Sequence, residues 1–123
     1  MNKETDYFLK EMTSALTLKE SYGFENVEKI KVLITASWND RMNGKSIEYN
    51  TCSKACFIIR CPFSECYGPL TGFRFENEIR GMVRQQLTTS TFHVECGGFG
   101  DLSNQYHCDN WVDIKVTINY YDD

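Results

Sequence analysis

The C-terminal stretch WVDIKVTINYY constrains the fold of this chain more than any other feature, because apolar and polar residues alternate along it. The apolar positions are Val112, Ile114, Val116, Ile118 and Tyr120, and the polar positions between them are Asp113, Lys115, Thr117 and Asn119. Successive side chains of a strand point to opposite faces, so this pattern predicts one buried face and one face in water. Such a strand requires a sheet that is covered by helices on one side.

Shorter patterns elsewhere predict further strands. An alternating stretch comes first, and the Asn43-Gly44 turn signal connects it to a second strand. A short apolar run and a stretch rich in β-branched and aromatic residues follow. These four predicted strands cover residues 27–38, 47–50, 56–60 and 89–96. In the first of them, alternation places Trp38 on the same side as the apolar residues before it.

Two segments have the spacing of amphipathic helices. The first, over residues 5–20, has its apolar face at Phe8, Leu9, Met12, Ala15 and Leu16. The second lies between the predicted third and fourth strands, with its apolar face at Phe75, Ile79, Met82 and Val83. The predicted order is therefore α-β-β-β-α-β-β. It indicates one α+β domain over residues 1–123, with two helices and a mainly antiparallel sheet of about four to five strands.

The charge balance disfavours one class of function. The 123 residues include 13 Lys and Arg against 17 Asp and Glu, a formal net charge of -4. Non-specific nucleic-acid binding depends on basic surface that displaces counterions from phosphates, so we do not expect it to be the main activity. The N-terminal sequence lacks a secretory pattern, and no apolar run is long enough to span a bilayer, so we expect a cytoplasmic protein without membrane contact.

The six cysteines divide into groups according to the predicted strands. They are Cys52, Cys56, Cys61, Cys66, Cys96 and Cys108. Cys56 and Cys61 flank the predicted strand FIIR, and five extended residues separate them by roughly 16 Å. A zinc ion with Zn–S bonds of about 2.3 Å cannot bind both. Cys61 is therefore grouped with Cys66, in the loop CPFSECYGP that follows the strand.

A second cysteine pair repeats this arrangement. Cys96 ends a predicted strand and begins the loop CGGFG, and Cys108 closes that loop before the last strand. The resulting C-x4-C…C-x11-C set resembles a zinc-ribbon or zinc-knuckle arrangement over residues 61–68 and 96–108, with no specific family identified. The resemblance implies one structural Zn²⁺ bound by Cys61, Cys66, Cys96 and Cys108, with no open position for a substrate.

Other interpretations of the same residues remain open. His107 is an alternative fourth ligand in place of Cys108, whereas strand alternation turns His93 away from the face that Cys96 uses. The even number of cysteines suits disulfides if the protein is secreted. A thiol nucleophile would need one of the histidines as a base and an oxyanion hole, for which the CGGFG amides are candidates. The cysteines also suit simple core packing, which we expect for Cys52 and Cys56.

We therefore expect a small cytoplasmic binding or regulatory module with a structural zinc site, of bacterial or phage origin. A zinc-ribbon-like nucleic-acid-binding protein is the first alternative, and a cysteine-dependent enzyme is the last. Arg80 and Arg84 lie one helical turn apart with Glu76 a turn earlier, a spacing typical of a solvated face with ion pairing and less often of a nucleic-acid patch.

The expected partner is a protein or a second copy of the chain. We expect the last strand to lie at a sheet edge, where only Lys115 among its outward residues protects against pairing with another chain. Either the N-terminal helix covers that edge or the edge pairs with its symmetry mate in a homodimer.

Overall fold

The computed structural model describes residues 13–61, 72–97 and 110–121. Within these ranges, two helical residues, Thr13 and Ser14, and a 3-10 turn precede six strands and one complete α-helix. The turn is Leu18–Glu20, the strands are β1 (Val27–Thr35), β2 (Ser46–Asn50), β3 (Ile58–Ile59), β4 (Phe73–Arg74), β5 (Thr89–Glu95) and β6 (Trp111–Tyr120), and the helix is α1 (Glu76–Gln85). The predicted α+β class and mainly antiparallel pairing are confirmed.

The main sheet contains four antiparallel strands in the order β2-β1-β6-β5. Strand β6 lies in the interior of this sheet, paired with β1 on one side and β5 on the other. The prediction that the last strand lies at an edge is therefore wrong. Alternation reports which face of a strand is buried, and edge strands and central strands produce the same alternation.

Residues 36–45 connect the first two strands, and the connection includes the predicted Asn43-Gly44 turn. Gly44 has a φ of +84°, and its N–H donates to the Ile34 carbonyl across 2.8 Å. The side-chain oxygen of Asn43 accepts the Ala36 N–H at 2.9 Å. The Asn-Gly pair thus connects β1 to β2, as predicted, because glycine adopts positive φ without steric cost.

One face of the main sheet is packed and the other is open. Val32 lies opposite Ile47 on β2 and Val116 on β6, and the β1 and β6 side chains of this row are completely buried. Helix α1 covers this inner face with Ile79, Met82 and Val83, all of which are buried. The predicted apolar face of this helix is confirmed.

Strands β3 and β4 form a second, two-stranded sheet, and β4 directly precedes helix α1 in the sequence. The predicted third strand is shorter than residues 56–60, since only Ile58 and Ile59 pair, with Arg74 and Phe73 respectively. The preceding residue, Phe57, contacts three aromatic rings. Its ring centroid lies 5.7 Å from that of Phe24, 4.9 Å from that of Tyr49 and 5.9 Å from that of Phe75.

The predicted N-terminal helix is not matched over residues 15–20, and residues 5–12 lie outside the described residues. Thr13 and Ser14 are helical, but Thr17 forms a β-bridge with Lys54 and Leu18 begins the 3-10 turn. Leu16, predicted to be on the buried face, is 56% exposed, whereas Leu18 is fully buried. Residues 13–61, 72–97 and 110–121 thus contain one complete α-helix, where two helices were predicted.

Candidate metal centre

Cys61 and Cys96 occupy equivalent places after two different strands. Cys61 follows β3 and is half-buried against the core, and Cys96 follows β5 and is buried. Cys96 also forms a β-bridge with Phe73 at the start of β4. Each cysteine therefore follows the end of a strand and contacts the core, and its position after a strand agrees with the sequence prediction.

Asn110 connects the two cysteines. Its side-chain Nδ2 donates to the Sγ atom of Cys61 across 3.4 Å. Its main-chain carbonyl accepts the N–H of Cys96 at 3.0 Å. Two of the four predicted zinc ligands thus contact one residue, which stands directly before β6.

The backbone of Gly72 contacts Cys96 from the other side. The Gly72 N–H donates to the Sγ atom of Cys96 across 3.3 Å, and the Gly72 carbonyl accepts the N–H of Gly97 at 3.1 Å. Gly72 has a φ of +101°, and a Cβ atom there would lie 2.9 Å from the Ile59 carbonyl oxygen. Only glycine fits this conformation and this close approach.

Both sulfur atoms accept hydrogen bonds from N–H groups. An N–H dipole directed at sulfur stabilises the thiolate, which is the form that binds a metal ion. Amide donors that orient ligand atoms are typical of the outer shell of metal sites. The surroundings of Cys61 and Cys96 therefore suit a pair of zinc-bound thiolates.

Four chain positions converge around these contacts. Cys61 and Gly72 bracket residues 62–71, and Gly97 and Asn110 bracket residues 98–109. Cys66, Cys108 and the alternative ligand His107 fall in these two segments, which lie outside the described residues. Over residues 13–61, 72–97 and 110–121, no group of three or more His, Cys, Asp or Glu side chains is arranged to hold a metal ion.

His93 lies on the opposite face of the sheet from Cys96. It is exposed, whereas Val94 and Cys96 are buried. Its Nδ1 atom is 2.8 Å from Oδ1 of Asp113, and its ring lies 5.4 Å from that of Trp111. The prediction that strand alternation directs His93 away from the cysteine is confirmed.

The two remaining cysteines differ in environment. Cys56 is buried, as predicted, and lines a groove of about 430 Å³ between residues 14–15 and the start of α1. Cys52 is exposed, so the prediction that it is buried is wrong. It stands in the turn after β2, where its N–H donates to the Asn50 side chain at 2.9 Å. The strand pattern did not reveal this turn.

The open face of the main sheet carries both signs of charge. Its exposed basic residues are Lys29, Lys31 and Lys115, and its exposed acidic residues are Glu48, Glu95 and Asp113. Leu33 is 41% exposed on the same face. Trp38 contacts the first residue of β6, because its indole N–H donates to the Trp111 carbonyl at 2.6 Å. The predicted placement of Trp38 on the buried side is wrong, because β1 ends at Thr35.

Helix α1 forms one of the ion pairs that its spacing predicts, between Glu76 and Arg80. Arg80 Nε lies 2.8 Å from Glu76 Oε2, one turn away. The same guanidinium donates to the Tyr22 carbonyl at 2.8 Å and stacks on the Phe24 ring at 4.8 Å. Arg80 therefore holds the helix against the N-terminal part of the chain.

Asn110 and Gly72 were not among the sequence-predicted site residues. Asn110 is 49 positions from the sulfur that it contacts, and no periodic pattern marks it. Gly72 carries a weak signal, since a glycine between a cysteine loop and an apolar segment is a candidate for a close backbone approach.

Comparison with protein-family models, curated proteins and solved structures finds no match to this chain. In the part of the chain that the structure describes, none of the helical segments has the length and apolar character required to cross a bilayer. Function therefore has to be argued from the geometry of the site.

Proposed function

We propose that the protein is a small binding module whose fold is stabilised by one structural zinc ion, with Cys61, Cys66, Cys96 and Cys108 as ligands. The observation that carries this proposal is the pair of contacts at Asn110, which link Cys61 to Cys96. The other two ligands, Cys66 and Cys108, belong to residues 62–71 and 98–109. These two segments are bounded by Cys61 and Gly72 and by Gly97 and Asn110, which contact one another around the site. His107 is the alternative to Cys108.

The zinc in this proposal has a structural role. Four protein ligands leave no position for a substrate, and in such sites the free energy of metal binding contributes directly to folding. The expected contribution is large here because the ion would join the chain after β3, the chain after β5 and the segment that leads into β6, which are distant in sequence. We place the protein in the cytoplasm, where thiols stay reduced and available to a metal.

A protein partner suits the open sheet face better than a nucleic acid does. Lys29 lies 3.9 Å from Glu48, and Lys31 lies opposite Glu48 in the strand register, so basic groups on this face stand among acidic ones. Phosphate recognition requires a surface with a net positive charge. The exposed side chains of Leu33 and Trp38 instead offer apolar contact area of the kind that protein interfaces use.

Metal and thiol counts from one purified sample test the zinc proposal. We expect one zinc per chain, together with six titratable thiols after denaturation in a chelator, since the chain contains six cysteines. Six thiols without metal would contradict the proposal. A thiol count below six, again without metal, would support disulfides instead.

Retention on a polyanion column tests the choice of partner class. We expect weak retention with little dependence on salt. A nucleic-acid-binding protein would instead be retained at low salt and released steeply as salt rises. That outcome would contradict the protein-binding part of the proposal while leaving the zinc part intact.

A further inference from the structure

Strand β5 forms one edge of the main sheet, and its hydrogen bonds show which of its backbone groups face outward. The Ile118 N–H donates to the Thr88 carbonyl at 2.8 Å, and the Cys96 N–H donates to the Asn110 carbonyl at 3.0 Å. Both contacts fit the register in which Thr89 lies opposite Thr117. Even-numbered residues of β5 therefore direct their backbone groups at β6, and odd-numbered residues direct theirs away from the sheet.

Only one end of this outer edge is covered in the part of the chain that the structure describes. The Gly97 N–H donates outward to the Gly72 carbonyl, and Phe73 bridges Cys96, so β4 occupies the edge beside Cys96 and Gly97. Along residues 89–93, no described strand lies on the outer side of β5. The outward N–H and C=O groups of Thr89, Thr91 and His93 thus form a short template for another strand.

This edge lacks the usual protection against pairing. Residues 89–93 include no Pro, Gly or Lys, and their exposed side chains are Thr89, Thr91 and His93. The opposite edge, β2, differs. It carries the charged Glu48, and the Asn50 N–H at its end is capped by Ser53 Oγ at 3.0 Å. Pairing with another chain is therefore favoured at β5 over β2.

We propose that two copies of the chain pair through β5 in an antiparallel homodimer, with Thr91 opposite its own copy on the two-fold axis. This register places Thr89 opposite His93 of the second chain and Ser90 opposite Phe92. The open stretch is symmetric about Thr91, and no two like charges face each other. The four-stranded sheets then join into one continuous sheet.

Phe92 supports a second copy as the occupant. Its side chain is only half-buried, although it points to the packed side of the sheet. In the proposed register, Ser90 and Phe92 form non-hydrogen-bonded pairs across the interface, where side chains approach most closely. The second chain thus covers the exposed part of the Phe92 ring. The inference goes beyond the zinc proposal and does not depend on it.

Light scattering across a dilution series, on the full chain as purified, tests the dimer. We expect the mass to rise from 14.3 kDa toward twice that value as concentration increases. Thr91→Pro removes an outward N–H and should raise the dissociation constant about tenfold or more. The matched control is Glu48→Pro, because the register places the Glu48 N–H outward on the opposite edge, and it should leave the dissociation constant unchanged.

Amide hydrogen exchange of the unmodified protein gives a second test that requires no variant. The Thr91 and His93 amides should exchange more slowly as concentration rises, whereas the Glu48 amide should not change. A monomeric mass at every concentration overturns the proposal. If the Thr91 and His93 amides are also protected at all concentrations, a segment of the same chain covers the edge. The proposal is also overturned if the chain dimerises but Thr91→Pro and Glu48→Pro raise the dissociation constant equally.

Discussion

The Asn110 side chain donates a hydrogen bond to the Cys61 sulfur across 3.4 Å, although the two residues stand 49 positions apart. The main-chain carbonyl of Asn110 accepts a hydrogen bond from the N–H of Cys96. Asn110 is thus a positioning residue that fixes one candidate ligand through its side chain and another through its backbone.

Replacing Asn110 by Ala should weaken zinc binding about 10-fold to 100-fold, the usual effect of losing an outer-shell donor. Chelator competition measures this affinity. Asn119→Ala is the matched control, because Asn119 is an exposed asparagine at the far end of β6 from the site and should leave zinc affinity unchanged. Equal affinities for the two variants would contradict the positioning role of Asn110.

Cys61→Ser and Cys96→Ser should each weaken zinc retention and lower the free energy of unfolding, because metal binding and folding are coupled. Cys66→Ser should do the same. Cys52→Ser should change the free energy of unfolding by less than about 0.5 kcal/mol, as expected for an exposed turn residue. Chemical denaturation with and without chelator measures both effects. If Cys52→Ser proves as unstable as Cys61→Ser, the assignment of Cys61 to the metal site and of Cys52 to a position outside it is wrong.

Gly72→Ala should destabilise the fold more than Gly44→Ala. Both glycines have positive φ, so alanine costs about 1–2 kcal/mol of backbone strain at either position. At Gly72 the new Cβ also lies 2.9 Å from the Ile59 carbonyl oxygen, whereas at Gly44 it meets nothing within 4 Å. Overpacking should therefore add about 1–3 kcal/mol at Gly72. Urea unfolding of the two variants measures the difference, and equal losses would contradict the close approach.

Tyr49 should make stability fall at alkaline pH. Burial, with a further contribution from Cys56, raises the pKa of the Tyr49 hydroxyl well above its ordinary value of 10.0. The folded state then retains a proton that the unfolded chain releases. This stabilisation is complete below about pH 10 and is lost above it, by up to about 1.4 kcal/mol per pH unit.

Tyr49→Phe should remove this part of the alkaline decline. It should also cost about 1 kcal/mol at neutral pH, since the hydroxyl donates to the Cys56 carbonyl at 3.2 Å. Tyr22→Phe is the control, because Tyr22 is 88% exposed. Denaturation measured from pH 8 to pH 11 compares the variants. The same decline in Tyr49→Phe and in the unmodified protein would contradict the assignment to Tyr49.

Helix α1 and the β1–β2 hairpin were predictable from local sequence. The apolar residues of α1 recur with the period of a helix, and the Asn43-Gly44 pair supplies the backbone conformation that the turn requires. The prediction of an N-terminal helix was wrong over the described residues 15–20. There Thr17 forms a β-bridge with Lys54, which a helical backbone at Thr17 would not allow. Tertiary contacts of this kind override local propensity.

For the candidate site, the sequence placed Cys61 and Cys96 after strands and directed His93 to the opposite face, and the structure agrees on both points. It did not predict the part played by Asn110 or Gly72, whose contacts depend on how distant segments approach one another.

The buried face of β6 follows from local sequence alone, because side-chain direction in a strand depends only on position along the chain. The place of β6 between β1 and β5, and of β5 at an edge of the sheet, follows only from the pairing of distant segments. Strand neighbours are chosen by backbone hydrogen bonds between distant segments, which side-chain alternation does not encode. The same long-range pairing brought Asn110 to Cys61 and Cys96, which no local pattern specified.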